Sequence, residues 1–124
     1  MKFHLHTAWV TMAATNIEPL VEFYSQLLAK SPHCHSPNTY AEFQLPGLRL
    51  GLFKPRDNHR QEFEQSEQSG LSLCLDVDDL DAAIAQLSNM GYPPPGEIIV
   101  ASHGREIYAY DPNGNRLILH QPQR

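Results

Sequence analysis

The alternation of apolar and polar residues sets the first expectation. From residue 3 to 14, Ala8, Val10 and Met12 fall on one side and Thr7, Trp9 and Thr11 on the other. Period two predicts a strand. Leu20, Phe23, Tyr24, Leu27 and Leu28 then recur at helical spacing. Asn16 offers an N-cap, Glu18 and Pro19 suit a first turn, and Ser31-Pro32 is a stop signal. A short irregular strand is expected over 33–37. Tyr40 to Leu45 reads as a strand, Pro46-Gly47 as a turn, and Leu48 to Lys54 as a further strand. Residues 55–69 are polar, with Phe63 their one large apolar residue. They read as a linker or mobile loop.

The second half follows the same plan. Leu71, Leu73, Leu75 and Val77 face one way, and Ser72, Cys74 and Asp76 the other. Asp78 or Asp79 caps a helix whose face carries Leu80, Ala83, Ile84 and Leu87, and Gly91 ends it. After the Pro93-Pro94-Pro95-Gly96 loop, strands are expected over 97–100, 105–110 and 115–120. Asp111-Pro112-Asn113-Gly114 supplies turn chemistry before the last of them.

The two halves also share residues. Pro46-Gly47-Leu48-Arg49-Leu50-Gly51-Leu52-Phe53-Lys54-Pro55 aligns with Asn113-Gly114-Asn115-Arg116-Leu117-Ile118-Leu119-His120-Gln121-Pro122, placing Gly on Gly, Arg on Arg and Pro on Pro. A turn and strand used twice points to paired modules. The expected organisation is a single domain over 1–124, with module one at 1–54, a linker at 55–69 and module two at 70–124. Each module runs strand, helix, three strands. Two copies can set their helices on the outer side of a cupped, mostly antiparallel sheet, an α+β architecture with a concave pocket.

Composition narrows the function. A chain of 124 residues fits one domain or two half-domains. Its formal charge of −5 and pI near 5.7 leave no basic patch for nucleic acid. No run approaches a membrane span, and His4, His6, Thr7 and Thr11 interrupt any apolar signal segment. Cys34 and Cys74 make no disulfide framework, although one bridge stays open. A soluble cytoplasmic protein is expected.

Phe23-Tyr24 on the first helix, Val77-Asp78-Asp79-Leu80-Asp81-Ala82-Ala83-Ile84 opening the second, and Asp111-Pro112-Asn113-Gly114-Asn115 before the final strand resemble the glyoxalase/bleomycin-resistance/dioxygenase family, the vicinal oxygen chelate superfamily. The resemblance covers nearly the whole chain. It implies paired βαβββ modules, a homodimer, and a pocket in each cupped sheet. Members include metal-dependent isomerases, epimerases, dioxygenases and thiol transferases, and also drug-binding resistance proteins that need no metal.

The resemblance also locates the metal-ligand positions. The first lies seven residues before the capping amide Asn16, which is Trp9; its counterpart in module two is Ser72. The third lies seven residues after Asp111, at Ile118, and the internal repeat puts the fourth at Gly51. A divalent ion needs His, Glu, Gln, Asp or Cys at such places, and none is there. The expected cofactor is therefore none.

Parity fills in the pocket wall. With Trp9 go Thr7 and Thr11, with Gly51 go Arg49 and Phe53, with Ser72 go Cys74 and Asp76, and with Ile118 go Arg116 and His120. The ligand-binding set is Trp9, Thr11, Arg49, Gly51, Phe53, Ser72, Cys74, Arg116, Ile118 and His120. The opposite faces, Leu50-Leu52, Leu71-Leu73-Leu75 and Leu117-Leu119, are uniformly apolar and suit the layer beneath the helices.

Such a mixed pocket suits a small organic molecule with an apolar body and an acidic group. The plainer readings stand beside it. Arg49 and Arg116 can pair with local acids such as Glu42 or Asp76. Trp9 is a stacking platform or a plug, Cys74 a small buried hydrophobe, and His120 a rim residue or a general base. His4/His6 and His33/His35 have chelating spacing but lie near element ends. The leading expectation is a metal-independent small-molecule binder. The alternatives are a lyase, isomerase or dioxygenase whose metal site is atypical or mis-registered, with His6 the suspect, and a degenerate module that only binds partners.

Overall fold

The computed structural model describes residues 3–123. The chain divides into two compact units, one reaching to Glu64 and one starting at Gln65.

The first unit holds strand β1 (Val10–Ala13), helix α1 (Glu18–Leu28), and strands β2 (Cys34–Ser36), β3 (Tyr40–Leu45) and β4 (Leu48–Phe53). Its sheet has the order β1-β4-β3-β2. The β1–β4 pair is parallel and the other two pairs are antiparallel. Met12 lies beside Leu52, Leu52 beside Ala41, and Leu50 beside Phe43, so these side chains share one face. Helix α1 covers that face with Leu20, Phe23 and Tyr24. The Tyr24 ring lies 6.3 Å from Phe43, and its hydroxyl 3.6 Å from the Met12 sulfur.

The second unit repeats this plan with β5 (Leu73–Asp76), α2 (Leu80–Asn89), β6 (Ile99–Ala101), β7 (Gly104–Tyr110) and β8 (Arg116–Pro122), in the sheet order β5-β8-β7-β6. Leu73, Leu117 and Ala109 are neighbours on its buried face, as are Leu119 and Ile107. Leu80 and Leu87 of α2 are fully buried. Among the described residues, no helix is long and apolar enough to cross a membrane.

Local chemistry explains where the elements start. Ile17, not Asn16, occupies the N-cap position of α1, and its carbonyl accepts the first helical bond from Val21. The Asn16 side chain still accepts from the Glu18 N–H at 3.1 Å. Asn38, in the turn after β2, accepts from the Ile17 N–H, and its own N–H donates to the Glu18 carboxylate at 2.8 Å. His35 meets the same carboxylate oxygen at 3.0 Å. These contacts tie the helix start to the β2–β3 turn. In α2, Asp79 is the cap and accepts from the Ala82 N–H.

Three expectations need correction. The first strand was expected over residues 3–14 but forms only at Val10–Ala13, and Phe3 and Leu5 are exposed. Alternation alone makes no strand without a partner for the backbone N–H and C=O groups. The register puts Val10 beside Leu50. Extending it backward would set residues 3–7 against the β3–β4 turn, which has no free edge to offer. Residues 55–69 are not a bare linker, because they wind into short 3₁₀ turns at Asp57–Phe63 and Ser66–Gln68. The strand expected over 97–100 forms at Ile99–Ala101.

The Asp111 turn is built around one buried carboxylate. Asp111 Oδ1 accepts from the N–H groups of Asn113 and Asn115, and Oδ2 accepts from the Asn115 side-chain amide at 2.8 Å. Gly114, at φ 82, and its counterpart Gly47, at φ 75, take the left-handed conformation that each hairpin turn requires. Asp111→Ala strands buried donors and is expected to cost about 3 kcal/mol in urea denaturation.

Glu18 supplies a pH test. The Asn38 N–H, and secondarily His35, hold its carboxyl below the usual value of 4.5. A lowered folded pKa gives stability that is present above the unfolded pKa and lost as pH falls through the folded one. The stability gap between wild type and Glu18→Gln, from chemical denaturation, should therefore be largest near neutrality and close as the pH drops below about 4.

Candidate functional site

Each sheet has one face under its helix and one face turned away from it. In the first unit, register places Thr11 beside Gly51, Gly51 beside Glu42, Phe53 beside Tyr40 and Arg49 beside Gln44 on the face away from the helix. Trp9 stands one residue before β1 and is 44% exposed. The Arg49 guanidinium carbon sits 4.3 Å from the centre of its ring, within cation–π range.

Four side chains close a ring here. The Trp9 side chain lies against the Tyr40 hydroxyl. That hydroxyl donates to Glu42 Oε1 at 2.8 Å. The same carboxylate oxygen lies 3.6 Å from Arg49 Nε, close enough for charge attraction but beyond hydrogen-bond reach. Arg49 then returns over the indole. Arg49 Nε is buried and has no hydrogen-bond partner among the described residues. Burial, and then the neighbouring Glu42 carboxylate, push the Tyr40 phenol above its usual value of 10.0. The phenol therefore stays protonated and keeps its role as a donor.

Gly51 is a glycine for a local reason. A Cβ there would lie 2.7 Å from the Tyr40 hydroxyl and 3.2 Å from Thr11 Cγ2. The phenol fills the space that a ligating side chain at this position would need. Phe53, on the same face, meets Phe63 edge-on at 5.4 Å. The polar segment after β4 is thus anchored by its single large apolar residue.

In the second unit, Cys74, Ile118 and Tyr108 lie side by side on the corresponding face, and Asp76, His120 and Glu106 form the next row. Arg116 is engaged locally. It donates to the Ser72 hydroxyl at 2.6 Å and to the Ser69 and Leu71 carbonyls, which pins the chain entering β5. Asp76 pairs with His120, at 2.8 Å, and not with an arginine. Cys74 is exposed, contrary to the expectation of a buried hydrophobe, because its row faces away from α2. Partial desolvation, then Asp76 and Glu106, push its thiol above the usual value of 9.0. Both cysteines are free.

The sequence-derived set thus falls into two groups. Trp9, Thr11, Arg49, Gly51 and Phe53 gather on the first unit's face, and Ser72, Cys74, Arg116, Ile118 and His120 on the second's. Tyr40 was missed, and Glu42 was considered only as a partner for Arg49. Alternation within β3 carried the signal, because Ala41, Phe43 and Leu45 are the buried set. His103 was missed as well. It lies in the turn between β6 and β7, where periodicity says nothing. His35 is taken up by the Glu18 carboxylate, and His4 and His6 are exposed ahead of β1.

The donor chemistry at the four metal-ligand positions does not fit a divalent ion. An indole, a glycine, an isoleucine and a serine already bonded to Arg116 offer no set of lone pairs. Among the described residues, no group of three or more His, Cys, Asp or Glu side chains is placed to hold one.

Comparison with known proteins agrees on the fold. The model of the Glyoxalase/Bleomycin resistance protein/Dioxygenase superfamily matches residues 6–119. The chain is 28% identical over 113 residues to the metallothiol transferase FosB of Shouchella clausii (strain KSM-K16), spanning 90% of this chain and 76% of that protein. A protein of Agrobacterium tumefaciens solved by NMR superposes with a TM-score of 0.77 at 22% identity, over 98% of this chain and 100% of that one. A bleomycin-binding protein complexed with bleomycin gives 0.68 at 19% identity, over 96% and 100%.

The close approach at Gly51 gives a direct test. Gly51→Ala forces the Tyr40 phenol aside and breaks its bond to Glu42, at an expected cost of about 1–2 kcal/mol. In a Tyr40→Phe background the cost should fall by roughly half. A double-mutant cycle by denaturation measures the coupling, and strictly additive losses would contradict the packing.

Proposed function

Because the chain belongs to the Glyoxalase/Bleomycin resistance protein/Dioxygenase superfamily but keeps no ion-binding side chains at the positions its metal enzymes use, we propose that it is a metal-independent small-molecule-binding protein. The carrying observation is the Trp9–Arg49 stack on the first unit's sheet, closed into a ring by Tyr40 and Glu42. An indole half open to solvent offers a flat apolar surface. The guanidinium beside it is held in place by the ring and by Glu42, so little rotamer freedom is lost when a ligand arrives.

The ligand this surface favours has a planar apolar body and a carboxylate or similar anionic group. Arg49 is 31% exposed at its side chain, and a guanidinium fork matches a carboxylate in shape and charge. Glu42 offsets part of the positive charge, which selects against highly charged anions and toward single acids. Binding asks for no reactive group. The relative crystallised with bleomycin is named for binding, whereas FosB is named as a metallothiol transferase. The absent ligand set aligns this chain with the first kind.

Trp9 is the chain's single tryptophan, so its fluorescence reports on this site alone. A panel of aromatic carboxylates and their methyl esters should quench it saturably, the acids at lower concentration. Arg49→Met should weaken the acids at least tenfold and leave the esters unchanged. Trp9→Ala, followed by calorimetry, should lose about 1–2 kcal/mol on both. One stoichiometric divalent ion per purified chain, with binding abolished by its removal, would overturn this reading.

A further inference from the structure

A second centre lies in the other unit and does not rest on the arginine face. His120, in β8, meets Asp76 Oδ1 through Nδ1 at 2.8 Å, and its Nε2 meets His103 Nδ1 at 3.2 Å. The two imidazoles are 5.3 Å apart between centres. An ionised carboxylate can only accept, so the proton of neutral His120 is on Nδ1. Its Nε2 then carries a lone pair and accepts from His103 Nδ1–H. This leaves the lone pair of His103 on Nε2, at the outer end of the chain of bonds. His103 is exposed, whereas the His120 side chain is only 18% exposed. The arrangement is an acid-anchored relay with its basic end facing solvent.

We propose that Asp76, His120 and His103 form a general-base centre that takes a proton from a small, neutral, weakly acidic molecule, a thiol or a phenol, bound beside it. The step is a proton transfer alone. The ligand's X–H bond breaks, its electron pair stays on X, and the proton joins His103 Nε2. The imidazolium keeps its Nδ1–H bond to His120, and Asp76 stabilises the added positive charge through His120.

The surroundings define the ligand. Glu106 pairs with His120 across β7–β8, and with Asp76 it makes the row acidic, which disfavours a ligand that arrives as an anion. The adjacent row, Ile118 and Tyr108, is apolar, and Tyr108 is 40% exposed. Ile99 of β6 pairs with Glu106 and extends the apolar border. Facing the relay, the titratable and charged groups are therefore Asp76 and Cys74 from β5, Glu106 and Tyr108 from β7, and Arg116 further along β8. Arg116 is occupied by Ser72, Ser69 and Leu71. Cys74 is held as a thiol and does not compete as the base.

Nitrogen-detected NMR of the histidines tests the relay itself. His120 should show a protonated Nδ1 and an unprotonated Nε2 when neutral, and Asp76→Asn should weaken that tautomer preference. His103→Gln, a change at an exposed turn residue, should move the His120 Nε2 resonance while the fold is kept. For the chemistry, 4-nitrophenol and 1-butanethiol are added one at a time, and phenolate or thiolate absorbance is followed below the probe's own pKa. The protein should raise the anion fraction saturably for at least one probe. The increase should vanish in His103→Gln and fall in Asp76→Asn. The responding probe identifies the ligand class. A His120 Nε2 resonance unmoved by His103→Gln, no rise in anion with either probe, or a rise that survives His103→Gln would overturn the proposal.

Discussion

Leu50 and Leu52 of β4, and Leu117 and Leu119 of β8, are almost wholly excluded from water, and the rest of each unit is organised by that burial. Each of these strands is central in its sheet, with a parallel neighbour on one side and an antiparallel neighbour on the other. Burying a leucine side chain is worth roughly 1.5–3 kcal/mol. A slip of one residue would move both leucines of a strand into solvent and turn their polar neighbours under the helix. That penalty fixes the register. The register in turn decides that Arg49, Gly51 and Phe53, or Arg116, Ile118 and His120, stand on the other face. The functional surfaces are a by-product of where the leucines must go.

The same constraint explains what was legible in the sequence. Strict alternation in β4 and β8 disclosed both faces, although Leu71, expected beneath the helix, lies ahead of β5 and is exposed; the repeated Gly-x-Arg-Leu pattern aligned the hairpins, because it rests on side chains that packing forces apart. Two kinds of information were out of reach. Whether a strand forms depends on a partner, so the alternation of residues 3–9 promised more than the sheet could accommodate. Which polar side chains meet across strands depends on pair register, and a single chain does not display it. Asp76 could have joined Arg116, but the register sets it beside His120. Arg116 turns instead to the segment entering β5. His103 reaches His120 only because the β6–β7 turn folds back near the end of β8, where Gly104 pairs with Pro122.

Trp9 and Gly51 look at first like unrelated losses at two ligand positions, yet one structure accounts for both. The phenol of Tyr40 fills the space above Gly51, lies against Trp9 and bonds Glu42. Restoring a ligating side chain at position 51 alone would collide with that phenol, and restoring one at position 9 alone would remove the platform beneath Arg49. The two positions belong to one cluster whose positive charge is the Arg49 guanidinium. A guanidinium offers charge and directed N–H groups but no vacant coordination orbital. It can orient an acid without polarising a bond strongly enough to break it, so proton chemistry has to be sought where imidazoles are.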